Sequence, residues 1–123
     1  MIELLSGFPE GVVAAVAKGQ VSRRDYDEIL TPAIETAFAG RSKVRCYYEL
    51  GPEFTGMDAA AMWEDFRIGM GHLSGWERIA VVTDIEWIRL AINAFRFLVP
   101  GETRIFPISD AAEARRWVAA GLA

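Results

Sequence analysis

The chain has 123 residues, of which 52% are hydrophobic, 11% aromatic and 24% charged, with a net charge of −4 and one cysteine. That length fits a single domain spanning 1–123, since about 100–150 residues is the commonest domain size. The hydrophobic half excludes a disordered chain, and the lone cysteine excludes an intrachain disulfide or a multi-cysteine metal site. The acidic balance argues against a nucleic-acid partner, whose phosphates call for clustered cations.

The start, Met1-Ile2-Glu3-Leu4-Leu5-Ser6-Gly7, has neither a basic segment nor a long apolar one, so it does not read as a signal peptide. The most apolar stretch, Ile85 to Val99, is interrupted by Glu86, Arg89, Asn93 and Arg96 and is too short to span a bilayer. The expectation is a cytoplasmic protein without a membrane span.

Ile2 to Leu5 and Val12 to Ala17 are apolar runs joined by a turn-rich linker, which predicts a hairpin whose second strand is buried on both faces. Ser22 and Asp25 form the ends of a capping box. A helix follows, with apolar residues at Tyr26, Ile29, Leu30, Ala33, Ile34, Ala37 and Phe38, a stop at Gly40 and a kink expected at Pro32. Lys43 to Leu50 alternates in polarity and predicts a strand with one wetter face. Gly51 to Gly56 reads as a loop, and Asp58 as the cap of a second helix with Ala59, Met62, Trp63, Phe66, Met70 and Leu73 in one sector. Arg78 to Thr83 predicts a central strand, and Asp84 caps a third helix reaching about Leu98. Thr103 to Ile108 predicts the last strand, in which Pro107 confines its position to an edge or a strand end. Ser109 or Asp110 caps a final helix that turns Ala111, Ala114, Val118 and Leu122 to the sheet, with Trp117 beside them.

The order β-β-α-β-α-β-α-β-α predicts an α/β domain. Its five-stranded, mostly parallel sheet grows by successive right-handed βα turns, with the first strand antiparallel. If successive strands are neighbours, the crossover helices share one side of the sheet.

Catalytic equipment is sparse. His72 is the one histidine and reads as a surface or cap residue, with no cysteine or second histidine to complete a metal site. Cys46 lies mid-strand on the apolar phase and reads as a buried thiol. Asp25 with Asp27 and Glu28, Glu64 with Asp65, Arg23-Arg24 and Arg115-Arg116 all read as solvated faces. No nucleophile elbow, Walker loop, zinc-protease motif or dinucleotide fingerprint is present. The expectation is a non-enzyme with no catalytic residues, metal or cofactor.

Two features stand apart from this background. On a step of about 100° per residue, the polar positions of the third helix fill only about a quarter of its circumference. Its apolar excess includes Trp87, Leu90, Ala94 and Phe97. Neighbouring helices are the ordinary cover for such an excess. The alternatives are a protein partner, a homodimer, a small apolar ligand or a membrane surface. The second feature is the loop Glu53-Phe54-Thr55-Gly56-Met57, where a helix start would tolerate a phosphate on Thr55 and where Phe54 and Met57 extend the apolar candidates.

The chain resembles the SpoIIAA-like STAS-domain proteins. The resemblance rests on the order of elements, on Ser22-Arg23-Arg24-Asp25-Tyr26-Asp27, on Trp76-Glu77-Arg78-Ile79-Ala80-Val81-Val82-Thr83-Asp84, and on Phe106 with Ala111-Ala112-Glu113-Ala114-Arg115-Arg116-Trp117. It implies a fold of successive βα turns, related to anti-sigma-factor antagonists and to the lipid-binding CRAL-TRIO domains. In the antagonists a phosphorylated serine precedes a glycine in an Asp-Ser-Ser-Gly-Leu loop. Glu53 to Met57 fall on that motif, with Thr55 in the acceptor place, Phe54 in place of a serine and Glu53 in place of an aspartate. Together the features predict a binding or regulatory module that engages a protein partner or a small lipid-like ligand through the third helix and adjacent loops. The alternative is a phosphorylation-controlled switch at Thr55.

Overall fold

The apolar runs and the alternating stretch form one five-stranded sheet in the order β1-β2-β3-β4-β5. The computed structural model describes residues 1–58, 67 and 71–122, apart from the side chains of Leu73 and Phe95. The strands are β1 (Ile2–Leu4), β2 (Val12–Val21), β3 (Val44–Met57), β4 (Trp76–Thr83) and β5 (Glu102–Phe106). β1 is antiparallel to β2, and β2 to β5 run parallel. The helix expected between Asp58 and Leu73 lies largely outside the described residues.

Helical residues Arg23–Asp25, Tyr26–Leu30 and Thr31–Ala39 follow one another without a gap and are together called α1. The capping box is closed: the Ser22 N–H donates to the Asp25 carboxylate at 2.8 Å, and the Asp25 N–H donates to Ser22 Oγ at 3.4 Å. Pro32 does not kink a uniform α-helix as expected. The chain instead widens into a π turn over Tyr26–Leu30, closed by the Thr31 N–H on the Tyr26 carbonyl. Pro32 then stands at the start of a fresh α segment, where its missing N–H is not needed. The two remaining helices are α2 (Glu86–Phe95) and α3 (Ala111–Ala119).

Because strand side chains alternate, the sheet has two cores. On one face Val13, Ala15, Ala17, Cys46, Tyr48, Leu50 and Val81 pack with Tyr26, Leu30 and Ile34 of α1 and Ile88 of α2. The Tyr26 and Tyr48 hydroxyls share a buried 3.0 Å hydrogen bond there. On the other face Ala14, Tyr47, Ala80, Val82 and Phe106 meet Ala114 and Val118 of α3. Tyr47 is pushed up to about 12 by burial and by its hydrogen bond to the Glu49 carboxylate, against an opposing contribution from Arg115.

β3 is longer than the alternating stretch predicted, since Gly51 to Met57 continue as strand rather than loop. Between the pairs Ala17↔Leu50 and Gly19↔Phe54 the β3 side carries extra residues, a bulge that contains Pro52. A proline is tolerated there because the ladder asks no donor of it. Pairing then resumes to Val21↔Met57.

α3 is held by arginines from two neighbouring strands. Arg45 donates through its NH1 group to the Val118 and Ala120 carbonyls at 2.9 and 2.7 Å, and through Nε to Glu77 at 2.6 Å. Arg78 donates to the Trp117 carbonyl at 2.7 Å. A helix end leaves its last carbonyls short of intrahelical partners, although the Trp117 carbonyl also accepts the Ala120 N–H at 3.3 Å, and the cations oppose the helix's negative pole. Arg45 is buried, whereas Arg104, which lies 4.8 Å from the Trp117 ring, is exposed. Arg45→Met is expected to cost about 1.5–3 kcal/mol in urea unfolding, the range for hydrogen bonds from a charged donor. Arg104→Met should cost less than about 1 kcal/mol. Equal losses from the two variants would contradict the anchoring role of Arg45.

Candidate functional site

The entry to α2 differs from the expected aspartate cap. Thr83, fully buried at the end of β4, accepts the Ile85 N–H on Oγ1 at 3.1 Å. Its carbonyl accepts a hydrogen bond from Arg89 at 3.3 Å. Asp84 reaches away and accepts the Ile108 N–H at 3.1 Å, so it ties the start of α2 to the residues after β5. Asp110 likewise makes no side-chain cap at α3.

Ile88 is buried and Ile92 partly buried against the α1 side of the sheet. With about 100° between successive residues, Leu90 lies opposite the midpoint of these two isoleucines. Trp87 is 48% exposed, Leu90 60% and Phe97 77%, and Ala94 is also exposed. Trp87, Leu90 and Ala94 follow the i, i+3, i+7 spacing of one helix face, and Phe97 continues it in the 3₁₀ turn Arg96–Leu98. Among the described residues, the helices therefore leave this part of the apolar excess exposed. Side chains this exposed lie on an open surface rather than inside a cavity.

One flank of this stripe is polar. Glu86, Arg89, Asn93 and Arg96 fall within about 80° of one another on the same step. Arg89 is occupied by the Thr83 carbonyl, and Arg96 reaches the Thr103 carbonyl at 3.4 Å. The opposite flank carries Trp87, Ala91 and Ala94 and has no charge.

The other expected site residues lie elsewhere. Phe54 is buried in the same core cluster as Ile88, and Met57 packs partly buried against that cluster. They support α2 from within and do not extend its surface, because after the bulge Phe54 pairs with Gly19, two residues beyond Ala17, and so returns to the inward phase of Leu50. Thr55 is exposed, but it sits inside β3 rather than in a loop entering a helix. The register shifts at Thr55, which lies between the pairs Gly19↔Phe54 and Gln20↔Gly56 without a partner of its own, so it occupies a strand bulge and not the helix start expected to favour a phosphate.

Cys46 is buried, as its position on the apolar phase predicts. His72 does more than occupy the surface. Its ring stacks on Phe38 with centroids 4.1 Å apart and meets Glu35 at 3.0 Å, so it fastens the segment before β4 to α1. Among the described residues no three His, Cys, Asp or Glu side chains are grouped to hold a metal, and no helix is long and apolar enough to cross a membrane.

Comparison with known proteins agrees with this architecture. The SpoIIAA-like family model matches residues 12–119. A solved structure of an uncharacterized protein from the DUF3478 family of Shewanella loihica PV-4, with a SpoIIAA-like fold, is 25% identical. The match has a TM-score of 0.75 and covers 96% of this chain and 92% of that one. No protein of curated function matches the sequence.

The contrast between the two sides of α2 is open to measurement. Leu90→Lys is expected to change the unfolding free energy of the dilute chain by no more than about 0.5 kcal/mol, as for other surface changes. Ile88→Ala should cost about 2–5 kcal/mol. A comparable loss from both variants would show that Leu90 is covered.

Proposed function

Because the chain belongs to the SpoIIAA-like family, we propose that it is a non-enzymatic binding module whose working surface is the stripe Trp87, Leu90, Ala94 and Phe97. The observation that carries this reading is the exposure of three large apolar side chains in one row on a helix whose opposite side is well buried. Isolated exposed apolar residues are ordinary on a protein surface, but a contiguous row marks a contact site. Aromatic residues are also enriched at protein interfaces, where their area is desolvated at little cost in side-chain entropy.

The openness of the row favours a protein partner over a small apolar ligand, because small ligands take most of their affinity from enclosure in a concave site. A lipid-like molecule is the other occupant compatible with the row. The SpoIIAA-like fold supports a regulatory or binding role, and the core on the α1 side of the sheet holds α2 through Ile88 and Ile92.

A photo-crosslinking amino acid placed at Phe97 tests the reading in the cells that make the protein. Adducts to a protein or lipid are expected from position 97, and none from the exposed control position Arg104 on β5. Adducts in equal yield from both positions, or from neither, would reject the stripe as the working surface.

A further inference from the structure

Resting on the reading of the stripe as a contact surface, we infer that its occupant is a second copy of this chain, bound through an antiparallel pairing of α2 about a two-fold axis close to Ala91. The argument comes from the order of charges on the polar flank.

That flank reads Glu86, Arg89, Asn93, Arg96 along the helix. When two identical helices face each other in opposite directions, the same flank of each is brought together and read in reverse. Glu86 of one copy then comes level with Arg96 of the other, and Arg89 comes level with Asn93. Each pair is symmetric about position 91, so one axis satisfies both. Two Glu86–Arg96 pairs and two Arg89–Asn93 pairs result, with no like charges opposed. A parallel pairing would turn the two polar flanks to opposite sides of the interface, so Glu86 and the arginines of each copy would face the uncharged flank of the other and find no charged partner across it.

The apolar part of the surface obeys the same symmetry. Leu90 lies one residue from the axis and meets the corresponding leucine region of the partner. Trp87 comes level with the turn that carries Ala94 and Phe97, so a large ring meets a small residue and an aromatic end. Ala91 and Ala94 are exposed and small, which lets two helix backbones approach. Glu86 is exposed at the start of α2 and makes no described hydrogen bond or ion pair within the chain, so its carboxylate is free to pair across the axis.

A lipid surface fits the flank less well. Anionic headgroups would favour a basic polar face, whereas this one carries Glu86 among its cations on a chain of net charge −4. A different protein leaves the internal symmetry of the flank without a role.

Sedimentation velocity of the full chain over a concentration series tests the inference. The native chain is expected to pass from monomer to dimer as concentration rises. Leu90→Glu should leave only monomer. Glu86→Arg and Arg96→Glu should each raise the dimer Kd at least about tenfold, since each sets like charges against one another. The double variant E86R/R96E exchanges the partners and should return the Kd to within about threefold of the native chain. All of these changes are at exposed positions, so they leave the fold in place.

A native chain that stays monomeric throughout overturns the second copy as occupant. In that event, crosslinks from Phe97 to another protein or to lipid still uphold the stripe as a contact surface. A dimer unaffected by Leu90→Glu overturns the inference by placing the interface elsewhere. A dimer lost in Leu90→Glu but not restored in E86R/R96E overturns the antiparallel pairing.

Discussion

Handedness of the crossovers is the constraint on which the rest of this structure depends. From β2 to β5 each strand lies beside the next one in sequence and parallel to it. Connections between parallel strands are right-handed almost without exception, so a sheet that always grows in one direction places its crossover helices on one face. α1 and α2 both obey this and share a core. α2, the connection into the edge strand β5, stands at the end of that layer. Its outer side is left open, and the row Trp87, Leu90, Ala94 and Phe97 is exposed as a result.

On the opposite face of the sheet α3 is the one described helix, joined there by Leu5 and Phe8 from the segment between β1 and β2. That face carries Ala14, Tyr47, Ala80, Val82 and Phe106. Ala114 and Val118 cover part of it, and Arg45 and Arg78 hold the end of the helix by its own carbonyls. Desolvating an arginine is costly unless its donors are used, and Arg45 uses them on two carbonyls and on Glu77. The covering of the second face thus relies on directional contacts as well as on apolar area. Asp84 adds a link from the start of α2 to the residues leading into α3.

Much of this was legible in the residues. The continuous apolar runs Val12 to Ala17 and Arg78 to Thr83 mark central strands, because a strand covered on both faces has no polar phase. The pair Ser22 and Asp25 marks a helix start by the chemistry of its free N–H groups. The uneven circumference of α2 announces a surface in excess of what one sheet contact needs. Which part of that circumference stays open was not legible, since it depends on where neighbouring helices lie. Gly51 to Met57 looked like a loop because Gly51, Pro52 and Gly56 have low strand preference. The bulged pairing with β2 overrides that preference, and Phe54 and Thr55 change character with it. Arg45 and Arg78 carry no signal in the pattern either, because their partners are main-chain carbonyls brought near only by the fold.

The central claim is that the open side of α2 is covered when the protein is at work. Hydroxyl-radical footprinting compares the dilute isolated chain with the chain inside the cells that produce it. In the dilute chain Trp87 and Phe97 should oxidise readily and the buried Trp76 should not. Inside the cells Trp87 and Phe97 should be protected, while the exposed Leu4 on β1 keeps its reactivity. Equal oxidation of Trp87 and Phe97 in the two settings would contradict the account.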